Sequence, residues 1–180
     1  KRVYPIPCLS EWLNKDSFQN RFSIKQFSLV KEHIDNFYPF VLLPYEIIKI
    51  DDPNDFYRQY QNVECEMAWD TETSSLNHFD PNFKVGCITI SFDGNKGYYL
   101  PFNKTDKRLL SSFFKNKYQI TANGKYDVKA MLKERVQNSR VDEDIVLLSH
   151  LLNTERLKSG LKTLAWYIGL GGYDSELDKI

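Results

Sequence analysis

Apolar and polar positions follow two periods along the chain, one typical of strands and one typical of helices. Short uncharged runs between turn residues predict buried strands, and apolar residues three and four positions apart predict amphipathic helices. By these criteria strands lie at about 45–50, 64–70, 85–92, 96–101 and 118–122, and helices at about 53–62, 105–115, 126–134, 145–152 and 161–168. The pattern predicts an α/β fold with a mixed sheet of about five strands flanked by helices.

Two segments of this pattern carry separate expectations. Residues 1–43 have helical apolar spacing between 23 and 37 and end among prolines, which predicts a mainly helical N-terminal extension. The domain itself is then expected at 44–180. The helix at 145–152 is apolar on nearly all sides, so we expect it to be buried.

Composition narrows the class of protein. The chain has 180 residues, 42% of them hydrophobic and 14% aromatic, which is enough for a folded domain with a core. The formal net charge is zero, which argues against coating of nucleic acid by bulk electrostatic attraction. The three cysteines have no metal-binding spacing, and no apolar run is long enough to span a membrane. We therefore expect an intracellular protein with reduced cysteines, and no membrane partner.

Asp70 and Glu72 stand at the end of an apolar strand in the stretch Cys65-Glu-Met-Ala-Trp-Asp-Thr-Glu-Thr-Ser-Ser-Leu76. Residues i and i+2 of a strand point to the same side, so both carboxylates are expected on one face. Two neighbouring carboxylates repel each other unless a cation neutralises them, and Mg²⁺ prefers oxygen ligands. For this stretch alone, a polar strand end is the simpler interpretation.

A second stretch, Asn123-Gly124-Lys125-Tyr126-Asp127, repeats the arrangement of a strand, a turn and an acid in the first turn of a helix. An acid at that place also complements the helix dipole. Together, Asp-Thr-Glu-Thr-x-x-Leu and Asn-x-Lys-Tyr-Asp resemble the first two motifs of the DEDD-type 3′–5′ exonucleases. The resemblance covers about residues 45–180 and is greatest to the proofreading domain of family-A DNA polymerases, which are related to DNA polymerase I.

The resemblance implies a ribonuclease H-like fold and two divalent metal ions, Mg²⁺ or Mn²⁺. It implies that the catalytic metal ligands are Asp70, Glu72 and Asp127, and that the substrate contacts are Leu76, Asn123, Lys125 and Tyr126. The implied substrate is the single-stranded or frayed 3′ end of DNA. A polymerase domain is implied C-terminal to this one, in a bacterial or phage-infected cell.

The family has a further acid in a Tyr-x-x-x-Asp or His-x-x-x-x-Asp motif, which this sequence lacks. We interpret the chain as a piece that stops before that motif. Three alternatives stay open: an exoribonuclease resembling ribonuclease D, a domain that kept the fold without the chemistry and binds nucleic acid or has a structural role, and a generic α/β protein whose acids are caps.

Other candidates have simpler interpretations. Asp142, Glu143 and Asp144 form an acidic cluster before the helix at 145, where Asp144 is expected to be the N-cap. We expect His78, in a polar loop, to be exposed to solvent. Trp69 is expected to point away from Asp70 and to pack under the sheet.

Overall fold

The computed structural model describes residues 46–152, 160–161 and 164–165. By its internal contacts the chain divides into the units Lys1–Val41 and Leu42–Ile180, and the description below concerns the second. The predicted N-terminal extension at 1–43 lies outside the described residues, and so does most of the predicted helix at 161–168. The placement of the domain boundary stays a prediction.

The described part of the chain is an α/β fold with a mixed sheet of six strands. The strands are β1 (Glu46–Lys49), β2 (Cys65–Thr73), β3 (Val85–Ser91), β4 (Lys96–Pro101), β5 (Lys117–Thr121) and β6 (Glu143–Asp144). The helices are α1 (Pro53–Tyr60), α2 (Lys107–Lys115), α3 (Lys125–Lys133) and α4 (Ile145–Leu152), and a 3₁₀ turn spans Phe102–Lys104.

The sheet order is β1-β4-β3-β2-β5-β6. Strand β3 pairs with β2 and with β4 in antiparallel orientation. The other three pairings, β1 with β4, β2 with β5 and β5 with β6, are parallel. The prediction of a mixed sheet is confirmed, with one strand more than the expected five. The additional strand, β6, has only two residues, too few for a periodic pattern.

The core lies between one face of the sheet and the helices. Phe56 and Tyr57 of α1 and Phe113 of α2 are buried there with Trp69 and other apolar side chains of the strands. The Trp69 ring packs against Phe114 in a tilted arrangement, with ring centroids 4.9 Å apart, so the prediction that it packs under the sheet is confirmed.

Local sequence explains several ends of these elements. The Asp52 carboxylate accepts a hydrogen bond from the Asn54 amide at 2.9 Å and Pro53 begins α1, as predicted. The Asp93-Gly94 turn joins β3 to β4, with Gly94 at φ 74°. Lys117 is fully buried, and its ammonium group donates to the carbonyls of Tyr60 and Val63 at 2.7 and 2.5 Å. These bonds link the segment after α1 to β5.

The expectation that the helix at 145–152 is buried is wrong for the described residues. None of the α4 residues is buried, and Leu147, Leu151 and Leu152 are more than half exposed. An apolar helix is buried only where other parts of the protein cover its sides, and its own sequence does not supply them.

Candidate active site

Asp70 and Glu72 project from the same face of β2. Burial alternates along this strand: Trp69 and Thr71 are buried on the core side, and Asp70 and Glu72 are exposed on the other side. Asp70 pairs with Thr89 and Glu72 with Cys87 on β3. β2 runs to Thr73, three residues beyond the predicted end, so Glu72 lies in the strand rather than in the following loop.

Asp127 reaches the same strand from its other edge. β5 pairs with β2 only as far as Ala68, so the next residues of β2 have no strand beside them on that edge. The first turn of α3 lies there, and Asp127 Oδ1 accepts hydrogen bonds from the amide of Thr71 at 3.0 Å and from its hydroxyl at 2.5 Å. The buried carboxylate of Asp127 thus takes the place of the missing strand.

The carboxyl groups of Asp70 and Asp127 interact directly. Partial loss of water around Asp70, and then the charge of Asp127, raise the pKa of Asp70 from 3.8 to about 6. Burial also raises the pKa of Asp127, although the hydrogen bonds from Thr71 oppose this. In the described part of the chain no lysine or arginine forms an ion pair with either carboxylate. The pair therefore carries a negative charge that only a proton or a bound cation can neutralise.

Glu72 is not among the groups that shift the pKa of Asp70 or of Asp127. Among the described residues, no group of three or more His, Cys, Asp or Glu side chains is arranged so that it could hold a metal ion. Glu72 lies beside Cys87 instead: burial, and then the charge of Glu72, raise the pKa of the Cys87 thiol. The structure brings two of the three predicted ligands together and leaves the third on the same face of the sheet.

The loop between β2 and β3 is held against α3 by side chains of both. The Tyr126 hydroxyl donates to the Ser75 carbonyl at 2.9 Å and also contacts the Thr73 hydroxyl. The His78 ring packs on Tyr126, with centroids 4.4 Å apart, and on Phe83 at 5.2 Å. The expectation that His78 is exposed is wrong: it is half-buried because its ring fills the space between the loop and α3.

The predicted substrate contacts surround the carboxylate pair. Leu76 is 86% exposed in the loop, and Lys125 is exposed at the start of α3. Asn123 is exposed and has a φ of 61°, a backbone conformation that asparagine tolerates better than most residues. Tyr126 holds the loop through its hydroxyl. Their roles in substrate binding stay predictions.

Asp144 belongs to the support of the site. Its carboxylate accepts from the amides of Val146 and Leu147 in α4, which makes it the predicted N-cap. It also accepts from the amides of Asn123 and Gly124 at 3.1 Å each, in the turn that leads into α3. One buried carboxylate therefore fixes the starts of two helices.

Sequence reasoning missed Thr71, Thr73 and His78. Thr71 offers one signal, since a hydroxyl at an inward position of an apolar strand needs a hydrogen-bond partner. Thr73 and His78 lie in or beside a polar loop, where the sequence does not indicate which side chains meet α3. Their partners on α3 lie about fifty residues away in the chain.

The mixed sheet of this α/β protein carries acidic side chains at the end of a central strand and at the adjoining helix start. The chain belongs to the 3′–5′ exonuclease family, whose sequence model matches residues 45–178. No curated protein sequence matches the chain.

Cys65 and Cys87 are free thiols, and no helix in the described ranges has the length and apolar character needed to cross a bilayer.

Solved structures share the fold at low sequence identity. RNase D from Escherichia coli, described as an exoribonuclease involved in structured RNA processing, has a TM-score of 0.55 and 19% identity over 75% of this chain and 36% of its own. The EXO domain of Aedes aegypti Nibbler has a TM-score of 0.53 and 16% identity over 70% of each chain. The POL domain of Pol1 from M. smegmatis has a TM-score of 0.54 and 11% identity over 74% of this chain and 28% of its own.

Proposed function

We propose that this domain removes 3′-terminal nucleotides from single-stranded or frayed DNA in a metal-dependent reaction, as the proofreading part of an intracellular DNA polymerase. The observation that carries the proposal is the contact between Asp70 and Asp127, two carboxylates with no cationic partner in the described part of a 3′–5′ exonuclease-family chain. The polymerase domain would follow in a longer chain, and the fold shared with a solved structure of Pol1 supports this part of the proposal.

The residues present fit divalent metal ions. Carboxylate oxygens are the preferred ligands of Mg²⁺ and Mn²⁺, and unneutralised carboxylates in contact favour cation binding. Asp70 and Asp127 would hold the ions, with Glu72 contributing from the same face of β2. When bound, a pair of divalent ions lowers the pKa of a water molecule and neutralises charge on the phosphate and the leaving oxygen.

The chain's own residues would orient the reactants. Both Thr71 donors engage Oδ1 of Asp127 and fix the orientation of this carboxylate. Lys125 places a positive charge at the start of α3, suited to a phosphate of the substrate. Leu76 offers an exposed apolar side chain to the terminal bases.

The test is the release of nucleotides from single-stranded DNA labelled at one end. With Mg²⁺ or Mn²⁺ we expect shortening of strands labelled at the 5′ end in single-nucleotide steps, and no reaction with EDTA. A folded chain that binds the ions but cleaves internally, or from the 5′ end, would contradict the proposal. Absence of both metal binding and hydrolysis would favour a module without catalysis.

An exoribonuclease is the second candidate function. The fold is shared with E. coli RNase D as well as with Pol1, so the fold itself does not separate DNA from RNA. DNA and RNA oligonucleotides of one sequence, compared by kcat/KM, distinguish the two. A preference for DNA supports the proofreading proposal, and a preference for RNA replaces it with the second candidate.

A further inference from the structure

Phe79 is the most exposed large apolar side chain in the described part of the domain. It is 94% exposed and lies three residues after Leu76 in the loop between β2 and β3. Single exposed apolar residues are common on protein surfaces. What distinguishes Phe79 is the support of its backbone and its position.

The backbone on both sides of Phe79 is fixed by Lys133 of α3. The Lys133 ammonium group donates to the carbonyl of His78 and, at 2.7 Å, to the carbonyl of Asp80. The Asn77 side chain accepts from the Phe79 amide at 3.0 Å. These bonds hold the loop without any contribution from the Phe79 ring, which is exposed to solvent.

The loop that carries this ring is joined to both elements of the carboxylate pair. The His78 ring contacts Tyr126, the residue before Asp127, and the Cα atom of Phe79 is about 3.8 Å from that of His78. At its other end the loop begins directly after Thr73, the last residue of the strand that carries Asp70. The loop thus starts at the strand of Asp70 and contacts the helix of Asp127.

We propose that Phe79 stacks on a base of the single-stranded nucleic acid whose 3′ end lies at the Asp70–Asp127 pair. Aromatic rings bind single strands of any sequence because every base has a π-face. Lys84 and Lys125 are exposed on the same loop and at the start of α3, and their charges suit the phosphates between the bases. This inference rests on the proposed function and adds a base-binding residue to it.

Binding of short oligothymidylate and oligouridylate to the full chain in EDTA, where no hydrolysis occurs, tests the stacking. We expect Phe79→Ala to weaken binding about tenfold or more, and Phe79→Trp to restore it with quenching of the added tryptophan fluorescence. Leu132→Ala, a change at a 60% exposed apolar residue of α3, is the matched control and should bind as the wild type does. Comparing the two strands shows whether stacking favours DNA or RNA.

An oligonucleotide with abasic sites separates stacking from contacts with phosphates. The wild type should bind it about as weakly as Phe79→Ala binds the complete strand, and the substitution should cause little further loss. In steady-state hydrolysis Phe79→Ala should raise KM and leave kcat nearly unchanged, because the residue does not touch the reacting phosphate.

The outcomes separate this inference from the proposed function. Unchanged binding and KM in Phe79→Ala, with hydrolysis still dependent on Asp70, would overturn the stacking role and leave the nuclease intact. Phe79-dependent binding without hydrolysis under any metal condition would overturn the nuclease and leave the stacking surface.

Discussion

The Asp70–Asp127 pair lowers the stability of the folded chain but favours the binding of a cation. Burial raises the pKa of both carboxyl groups, and the charge of Asp127 raises that of Asp70 further. Such a pair destabilises the folded chain at neutral pH unless a cation binds. The same repulsion favours cation binding, because an ion that neutralises the two carboxylates removes the repulsion between them.

The contribution of Asp70 to stability without metal should fall as pH rises from about 4 to about 6. The pKa of Asp70 is higher in the folded chain than the ordinary 3.8, so in this range the folded chain keeps a proton that the unfolded chain has lost. We expect Asp70→Asn to match the wild type near pH 4 and to be more stable at pH 7. The gain should be about 1 kcal/mol, since the carboxyl is exposed and water screens much of the shift.

Urea unfolding in EDTA at a series of pH values measures this difference. A free energy of unfolding that is lower in Asp70→Asn than in the wild type at pH 7 would contradict the assigned repulsion. Added Mn²⁺ should stabilise the wild type and not the variant, by mass action on the folded state.

Thr71 sets the orientation of Asp127 through two hydrogen bonds to one oxygen. Thr71→Val removes the hydroxyl and should lower the free energy of unfolding by roughly 1–3 kcal/mol, because a bond to a buried carboxylate is lost. We expect the hydrolysis rate to fall about tenfold because the Asp127 carboxylate is held less firmly. Thr71→Ser keeps the hydroxyl and should retain both properties. If Val and Ser variants behave alike, the orienting role is wrong.

At the residue scale, the sequence predicts what depends on neighbours in the chain. Strand alternation places Asp70 and Glu72 on one face, and that follows from their spacing. The bonds of Asp127 to Thr71 join residues 56 positions apart, and only the folded arrangement of α3 beside β2 creates them. The half-buried state of His78 depends in the same way on Tyr126 and Phe83.

The start of α3 is the element on which the site depends, because its first turn carries Asp127. It begins at a close approach between Gly124 and its neighbours. A Cβ atom at Gly124 would lie 2.0 Å from the Thr121 hydroxyl oxygen and 2.8 Å from a methyl carbon of Val141. Any residue can adopt the φ of −61° found here, so backbone conformation does not require glycine. Glycine is required because there is no space for a Cβ atom.

Gly124→Ala should displace the start of α3 and lower the free energy of unfolding by roughly 1–3 kcal/mol. Gly97→Ala in β4 is the matched control, since nothing lies within 4 Å of a Cβ atom there. We expect the control to unfold as the wild type does and the Gly124 variant to lose nuclease activity as well. Thermal unfolding followed by circular dichroism measures both. Equal melting temperatures of the two variants would contradict the steric account.

The Asp144 carboxylate connects α3 and α4 through four backbone amides. Asp144→Ala leaves these amides without their acceptor and should cost roughly 2–3 kcal/mol of stability. Asp106 caps only α2, through the amides of Arg108 and Leu109, and Asp106→Ala should cost about 1 kcal/mol. Denaturant titration of both variants tests this order, and a larger loss in the Asp106 variant would reverse it.

At the element scale, long periodic segments were predictable and short or context-dependent ones were not. The runs that form β3 and α2 carry their own pattern and capping residues. β6 consists of two residues that pair with β5, and α4 is largely apolar without being buried. In both cases the outcome depends on partners elsewhere in the fold.

At the scale of the whole molecule, the two acidic motifs and the mixture of strands and helices were sufficient to predict the fold class. The family match over residues 45–178 agrees with that prediction. The choice between DNA and RNA depends on contacts with sugar and bases, and neither the motifs nor the fold determines those contacts.

The most direct test compares the wild type with Asp70→Asn and Asp127→Asn. The quantity measured is the rate of nucleotide release from the 3′ end of a single strand in Mg²⁺ or Mn²⁺. We predict a loss of about a thousandfold or more in each variant, since the transition-state charge is no longer neutralised, and no loss in the exposed control Asp55→Asn. Wild-type rates in folded Asp70→Asn and Asp127→Asn would contradict it.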